Sequence, residues 1–179
     1  MRHEDIIISG FGGQGALFAG QLLAYAGLAE GLQVTWIPSY GPEMRGGTAN
    51  CTVILSEEEI GAPIIRLPTA AIALNLPSMD KYEPLVKPGG VLVVNASLVP
   101  RASVRTDLRV VALPASDIAT ELGNVRMANL VALGALLKAT GIVSAESVLA
   151  QLEAHLSERQ RQWLEPNKAA LLKGVEFTP

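Results

Sequence analysis

Two glycine-flanked segments hold most of the residues in this chain that are equipped for binding chemistry. Gly10, Gly12, Gly13 and Gly15 give the spacing G-x-G-x-x-G within Gly10-Phe11-Gly12-Gly13-Gln14-Gly15. Residues without a Cβ let the chain turn tightly between a strand and a helix. Backbone N–H groups can then approach an anion at the helix N-terminus. A dinucleotide site of this kind also needs an Asp or Glu after the second strand to hold a ribose hydroxyl. Trp36-Ile37-Pro38-Ser39 stands there instead, with no acid before Glu43, which argues against a dinucleotide. Anion contact and plain strand–helix packing both account for the glycines.

The second segment is Ser39-Tyr40-Gly41-Pro42-Glu43-Met44-Arg45-Gly46-Gly47. It places Tyr40, Glu43 and Arg45 between glycines, in a loop expected to leave the carboxyl end of a strand. Open α/β sheets hold their ligands along that edge. Asn75 and Asn95 end two further strand-like runs on the same edge. The candidate ligand- or partner-contacting residues are therefore Gly10, Gly12, Gly13, Gln14 and Gly15, then Ser39, Tyr40, Gly41, Glu43, Arg45, Gly46 and Gly47, with Asn75 and Asn95. The competing reading is a Glu43–Arg45 pair that only stiffens a surface loop.

Other chemistry has less to work with. Cys51 alternates with Ala49, Val53 and Leu55 on one face of a strand, which is the setting of a buried, inert thiol. His3 and His155 are isolated, and no group of His, Cys or paired carboxylates has ligand spacing, so no metal site is expected. No nucleophile–base–acid set suggests itself. Trp163, among Arg159, Arg161, Gln162 and Glu165, reads as a packing anchor for the C-terminal tail.

The elements that must position these residues follow from patterning. Ile6–Ser9 is a β-branched run ending in glycine, the look of a buried parallel strand. A helix is predicted over Gln14–Glu30, stopped by Gly31. Strands are predicted at Gln33–Ile37, closed by Pro38, and at Thr48–Leu55, whose alternation suggests a half-exposed antiparallel strand. Further strands are expected at Ala70–Leu74, Val91–Asn95 and Arg109–Leu113, with a weaker one at Ile64–Ile65. Ser78 is expected to cap a short helix through Leu85. Lys87–Gly90 forms a turn. Helices are expected at Asn124–Thr140 and Ser144–Leu156, and a last one from Pro166 to Lys173 stopped by Gly174. The alternation implies one α/β domain over residues 1–179. It would be a three-layer, Rossmann-like α/β/α arrangement on a mostly parallel, mixed sheet, more helical from about residue 124.

Composition sets the class. Of 179 residues, 49% are apolar and 17% charged, against roughly 25% charged in typical soluble proteins. Such a chain collapses rather than staying disordered. The net charge of −3 offers no basic stripe for nucleic acid. No run reaches the roughly 20 apolar residues of a membrane span, and Met1–Asp5 leads into a strand without a signal-like region. A cytoplasmic protein is expected. The low charge, with the nearly all-apolar stretch Asn124–Thr140, also suggests a surface covered by another chain, and self-association as a symmetric dimer in isolation.

Both glycine-flanked segments resemble the gamma subunit of the 2-oxoacid:ferredoxin oxidoreductases. So do Asn75 through Tyr82, Lys87-Pro88-Gly89-Gly90, Asn129-Leu130-Val131-Ala132-Leu133-Gly134 and Asn167-Lys168-Ala169-Ala170. The Ser-Tyr-Gly-Pro-Glu wording is most similar to the 2-oxoglutarate type. The resemblance implies a complex that oxidatively decarboxylates a 2-oxoacid, joins the acyl group to coenzyme A and reduces ferredoxin. Thiamine diphosphate with magnesium would lie between alpha and beta subunits, and iron–sulfur clusters in beta or a ferredoxin-like delta subunit. This chain would complete the assembly and line the coenzyme A route, with no catalytic residue and no cofactor of its own. Two other readings stay open on the residues alone: a self-sufficient nucleotide-binding oxidoreductase, and a scaffold whose glycine loop binds nothing.

Overall fold

The computed structural model describes residues 1–40 and 47–179. Of the candidate residues, Gly41, Glu43, Arg45 and Gly46 lie outside the described residues. Strand β1 (His3–Phe11) leads into helix α1 (Ala16–Ala29), followed by β2 (Gln33–Tyr40) and β3 (Thr48–Ser56). Then come β4 (Ala70–Ala73), α2 (Leu76–Tyr82), β5 (Val91–Asn95) and β6 (Arg109–Leu113). Helices α3 (Ala115–Glu121), α4 (Ala128–Thr140), α5 (Ala145–His155) and α6 (Leu164–Glu176) complete the chain.

Among the described residues the strands form one six-stranded sheet in the order β2-β3-β1-β4-β5-β6. β3 is antiparallel to both of its neighbours, Ile6 facing Val53 and Trp36 facing Val53 from the other side. The strands from β1 through β4 and β5 to β6 are parallel. The expected mixed, mostly parallel sheet is thus present, and every strand except β3 ends on one edge. β1 is longer than its β-branched run; Ile6–Ser9 pair parallel with β4, as expected, while the other side of the strand pairs antiparallel with β3. The expected end of β2 at Pro38 is also corrected. β2 continues to Tyr40 because it is an edge strand, where a residue without an N–H leaves no ladder bond broken.

Period-two alternation sends Ile6, Ile8, Cys51, Val53, Leu55, Ile72 and Val93 to one face. There they join α1, α4, α5 and α6 in the main core. α4 is buried from Ala128 through Leu137. Its expected outside cover is supplied by this chain's own α6, so its all-apolar character demands no neighbouring subunit. The Cβ absent from Gly134 would lie 2.8 Å from the Val175 N and 3.0 Å from the Gly174 Cα. Gly174 is therefore not the stop expected for the last helix. It sits inside α6 so that two helix backbones can touch.

The opposite face is thinner. Ala71, Ala73, Leu92 and Val94 pack against Met79, Val86 and Val99, under α2 and the segment 96–108. That segment is clamped by Glu83, which is 2% exposed. Its carboxylate accepts from Arg101 Nη2 and the Val104 N–H, both at 2.9 Å. Burial alone would raise the Glu83 carboxyl, but the Ser103 hydroxyl, Arg101 and the Val104 N–H hold it below its ordinary value. Ser78 is not the cap of α2. Asn75 is, its Oδ1 accepting from the Ser78 N–H at 2.9 Å. Residues 64–65 form no strand, and α3 had no sequence signal strong enough to announce it.

Candidate functional site

The site lies on the edge where β1, β2, β4 and β5 end. After Phe11 the chain turns with Gly13 at φ 92° and Gly15 at φ 75°, both in the left-handed region that disfavours side chains. Gly15 precedes α1 and provides no side-chain cap. The first N–H groups of this helix therefore face the loop without a side-chain partner. Gly12 N–H donates to the Gly47 carbonyl at 2.9 Å, tying the loop to the start of β3.

Gln14 braces the turn from inside. Its Oε1 accepts from the Phe11 N–H at 2.6 Å and from Asn75 Nδ2 at 3.0 Å. The space for that oxygen exists because Gly10 carries no side chain: a Cβ there would lie 2.6 Å from Gln14 Oε1. Asn129, on α4, donates from Nδ2 to the Gly15 carbonyl at 3.0 Å and fixes the loop from behind.

The two edge asparagines stand where expected, but their side chains turn inward. Asn75 is 1% exposed and engaged in the α2 cap. Asn95 is fully buried and donates from Nδ2 to Ser116 Oγ at 2.9 Å and to the Leu74 carbonyl at 3.2 Å. These are supports for the edge. Ser39 and Tyr40 end β2 on the exposed side, Tyr40 at 61% exposure.

Three clefts meet at Gly13. The first, about 370 Å³, is apolar and runs between α1 and the β2–β3 end, lined by Phe11, Gly12, Leu17, Phe18, Tyr40 and Ala49. A second, about 350 Å³, opens toward the C-terminal helices. The third, about 270 Å³, lies over the ends of β4 and β5, between Gln14, Leu74, Leu98 and Arg126. Here β1 sends its chain toward β2 while β4 sends its chain toward β5, the crossover point at which α/β sheets hold ligands.

The objection to a dinucleotide gains a structural reason. β3 lies between β1 and β2, so the end of β2 is about 9–10 Å from β1, two strand spacings instead of one. A ribose-binding acid there would stand out of place. Cys51 is fully buried, with its thiol donating to the Ala16 carbonyl at 3.4 Å. Burial pushes it up to about 12, against small opposing contributions from Trp36 and the Gly20 backbone. It is the inert thiol expected. Arg126 and Trp163 were missed as cleft residues. Trp163, read from sequence as a tail anchor, is 39% exposed and lines the second cleft. The one available signal was a lone arginine between two apolar runs.

Comparison with known proteins agrees with this frame. A 2-oxoglutarate synthase subunit KorC of Methanocaldococcus jannaschii is 36% identical over 176 residues, 97% of this chain and 92% of the relative. A ketoisovalerate oxidoreductase subunit VorA of Methanothermobacter marburgensis is 39% identical over 145 residues, 81% of this chain. The match covers only 30% of that longer relative. The crystal structure of a keto/oxoacid ferredoxin oxidoreductase gamma subunit from Geobacter sulfurreducens superposes with a TM-score of 0.86 at 32% identity, over 98% of this chain and 96% of that one. The fold is also found in a 2-oxoglutarate:ferredoxin oxidoreductase from Magnetococcus marinus solved with 2-oxoglutarate, coenzyme A and succinyl-CoA, with a TM-score of 0.88 at 24% identity over 98% of this chain and 31% of that one. The model of the pyruvate ferredoxin/flavodoxin oxidoreductase family matches residues 5–177. With a sheet, glycine turn and edge clefts that account for its sequence pattern, this chain belongs to that family.

Proposed function

We propose that this chain serves as the gamma-type subunit of a 2-oxoacid:ferredoxin oxidoreductase acting on 2-oxoglutarate, and that its edge clefts help to seat coenzyme A. The observation that carries the reading is the end-to-end match to a KorC subunit, 97% of one chain against 92% of the other. The overall reaction takes a 2-oxoacid anion and the coenzyme A thiol to acyl-CoA, carbon dioxide and one proton. Two electrons pass to two ferredoxins.

The donor set of this chain does not fit an iron–sulfur cluster. Its single cysteine is buried and held protonated, whereas clusters take four thiolates. The clusters, thiamine diphosphate and magnesium are assigned to alpha, beta and delta-type partners. What this chain contributes is positional. The glycine turn brings backbone N–H groups to the cleft, and Gln14, Asn75 and Asn129 hold that turn rigid. Among the described residues no helix is long and apolar enough to cross a membrane. We read the enzyme as cytoplasmic, since its proposed reactants, coenzyme A and ferredoxin, are cytoplasmic molecules.

A second reading, a branched-chain 2-oxoacid as substrate, is favoured by the 39% identity to VorA. Co-expression with the alpha- and beta-type subunits tests both. The purified complex is assayed with 2-oxoglutarate, 2-oxoisovalerate and pyruvate, coenzyme A and a viologen acceptor. Stable co-purification and turnover of 2-oxoglutarate that falls when this chain is omitted are expected. Preference for 2-oxoisovalerate selects the second reading. Full activity without this chain overturns both.

A further inference from the structure

Residues 57–69 join β3 to β4 without a helix or strand. β3 ends at Ser56, beside the first residues of β1 and β2, so this loop lies at the amino edge of the parallel strands, away from the glycine turn. Loops of more than about 12 residues without secondary structure are uncommon in compact domains and usually serve a function. The middle of this one reads Ala62-Pro63-Ile64-Ile65-Arg66-Leu67. Ile64 is 76% exposed and Leu67 51%, with Ala62 and Pro63 also exposed. A run of apolar residues held out in water marks a surface that another molecule covers.

Shape and charge are both two-sided here. One hollow, about 240 Å³, is lined by Ile54, Ile60, Glu58 and Glu59. A second, about 450 Å³, is lined by Ile65, Arg66, Leu67 and Lys87. Asp5, Ala62 and Ile64 border both, so Ile64 stands on the ridge between them. Lys87 already meets Asp5 at 3.4 Å, and Glu57 meets Arg2 at 3.2 Å. Among the described residues no ion pair uses Glu58, Glu59 or Arg66. The loop thus offers an aliphatic knob beside a hollow floored by isoleucines. Two unpaired acids lie toward one end and an unpaired guanidinium toward the other.

Such a surface is complementary to itself. In a two-fold pair every contact occurs twice, residue i on j and j on i. We propose that two copies of this chain form a symmetric dimer through loop 57–69, laid antiparallel. Glu58 and Glu59 of one protomer then face Arg66 of its partner, where the guanidinium fork suits carboxylates. Ile64 of each protomer enters the hollow floored by Ile54 and Ile60 of the other. Strand addition, another common route to a second copy, is disfavoured on β2, because Pro38 leaves that free edge short of a donor. The amino edge is remote from the glycine turn and its clefts, so the dimer is independent of the function proposed above. In the assembled enzyme it joins two assemblies through their gamma-type chains.

Sedimentation equilibrium of the full chain across the micromolar range should show a reversible monomer–dimer equilibrium. The dimer should weaken as salt rises, because its charge contacts lie at the surface. Ile64→Asp should weaken dimerisation about tenfold or more by placing a charge at the apolar centre. Arg66→Glu should do the same, and so should Glu58→Arg combined with Glu59→Arg. Each of these two charge variants sets like charges against one another at both contacts. Mixed in equal amounts they face opposite charges again, and the mixture should recover the dimer. A general disturbance of the surface would not give that recovery. Circular dichroism checks that every variant is folded.

A chain that stays monomeric at every concentration, a dimer indifferent to Ile64→Asp, or a mixture of charge variants that fails to pair overturns the proposal. Hydrogen exchange of loop 57–69 adds a further arm. Protection that rises with the concentration of the chain alone supports the dimer. Protection gained only when alpha- and beta-type chains are present assigns the loop to another subunit and overturns it.

Discussion

Between α4 and α6, Gly134 and Gly174 allow two helix backbones to meet. At the sheet edge, Gly13 and Gly15 allow the backbone to turn. A Cβ on Gly134 would strike the neighbouring helix's main chain, which cannot move aside without separating the pair. A Cβ on Gly13 would meet nothing within 4 Å; its restriction is φ 92° alone. The same residue type thus serves packing in one region and conformation in the other. The body of the molecule needs glycine because space is absent. At the edge, Gly13 needs it only because the backbone is bent, whereas Gly10 and Gly15 also lack room for a side chain.

The contrast can be broken most directly in the body. Gly134→Ala and Gly174→Ala should each cost about 3 kcal/mol or more, the upper part of the over-packing range. Urea unfolding measures it. A loss below about 1 kcal/mol would mean that the helices separate freely, and the contrast would collapse.

Glu30 gives a second test of the body. It sits after α1, accepting from the Ser144 N–H at 2.7 Å, Ser147 Oγ at 2.8 Å and Arg2 Nη1 at 2.6 Å. Burial raises its carboxyl, but these partners win and hold it at about 2 against an ordinary 4.5. A carboxyl lowered on folding contributes stability that is complete above the unfolded value and lost as pH falls through the folded one. Glu30→Gln should therefore cost about 2 kcal/mol at pH 7, allowing for partial exposure. Its difference from the unmodified chain should shrink between pH 4.5 and pH 2. A difference that stays constant across that window would remove Glu30 as a clamp.

At the edge the effects should be smaller for folding and larger for binding. Gly15→Ala combines a φ of 75° with contact against the Asn129 amide, its Cβ 3.0 Å from Asn129 Cγ. A loss of about 2 kcal/mol is expected from backbone strain and a disturbed hydrogen bond. Gly13→Ala has only the strain, about 1 kcal/mol. It should nevertheless raise the KM for coenzyme A severalfold in the assembled enzyme, because Gly13 borders all three clefts. Should Gly13→Ala destabilise as much as Gly134→Ala, the two classes of glycine would merge.

How much was legible in the sequence depended on how local each signal was. Ile6–Ser9, Val91–Asn95 and Arg109–Leu113 show as β-branched runs, and Ser144 with Gly141 marks helix ends by capping chemistry that acts within a few residues. The edge position of the Gly10–Gly15 turn followed from strand–loop–helix order alone. The thiol's inertness followed from its alternation with Ala49, Val53 and Leu55. The weaker expectations failed where a distant partner decided the outcome. Pro38 stays inside β2 because that strand has one free side, and Gly174 stays inside α6 because Gly134 lies opposite.

The sequence by itself determined an α/β chain with a glycine turn at the carboxyl edge and an apolar helical end, since periodicity, capping residues and backbone-permissive glycines act over short spans. Only the tertiary structure decided three further matters. It inserted β3 between β1 and β2, which removes the dinucleotide geometry. It turned Asn75 and Asn95 inward as supports. It brought Phe18, Arg126 and Trp163, far apart along the chain, to one cleft. Each depends on which surfaces bury one another across long stretches of chain. No local pattern encodes that pairing, because the free energy that selects it belongs to the assembled core.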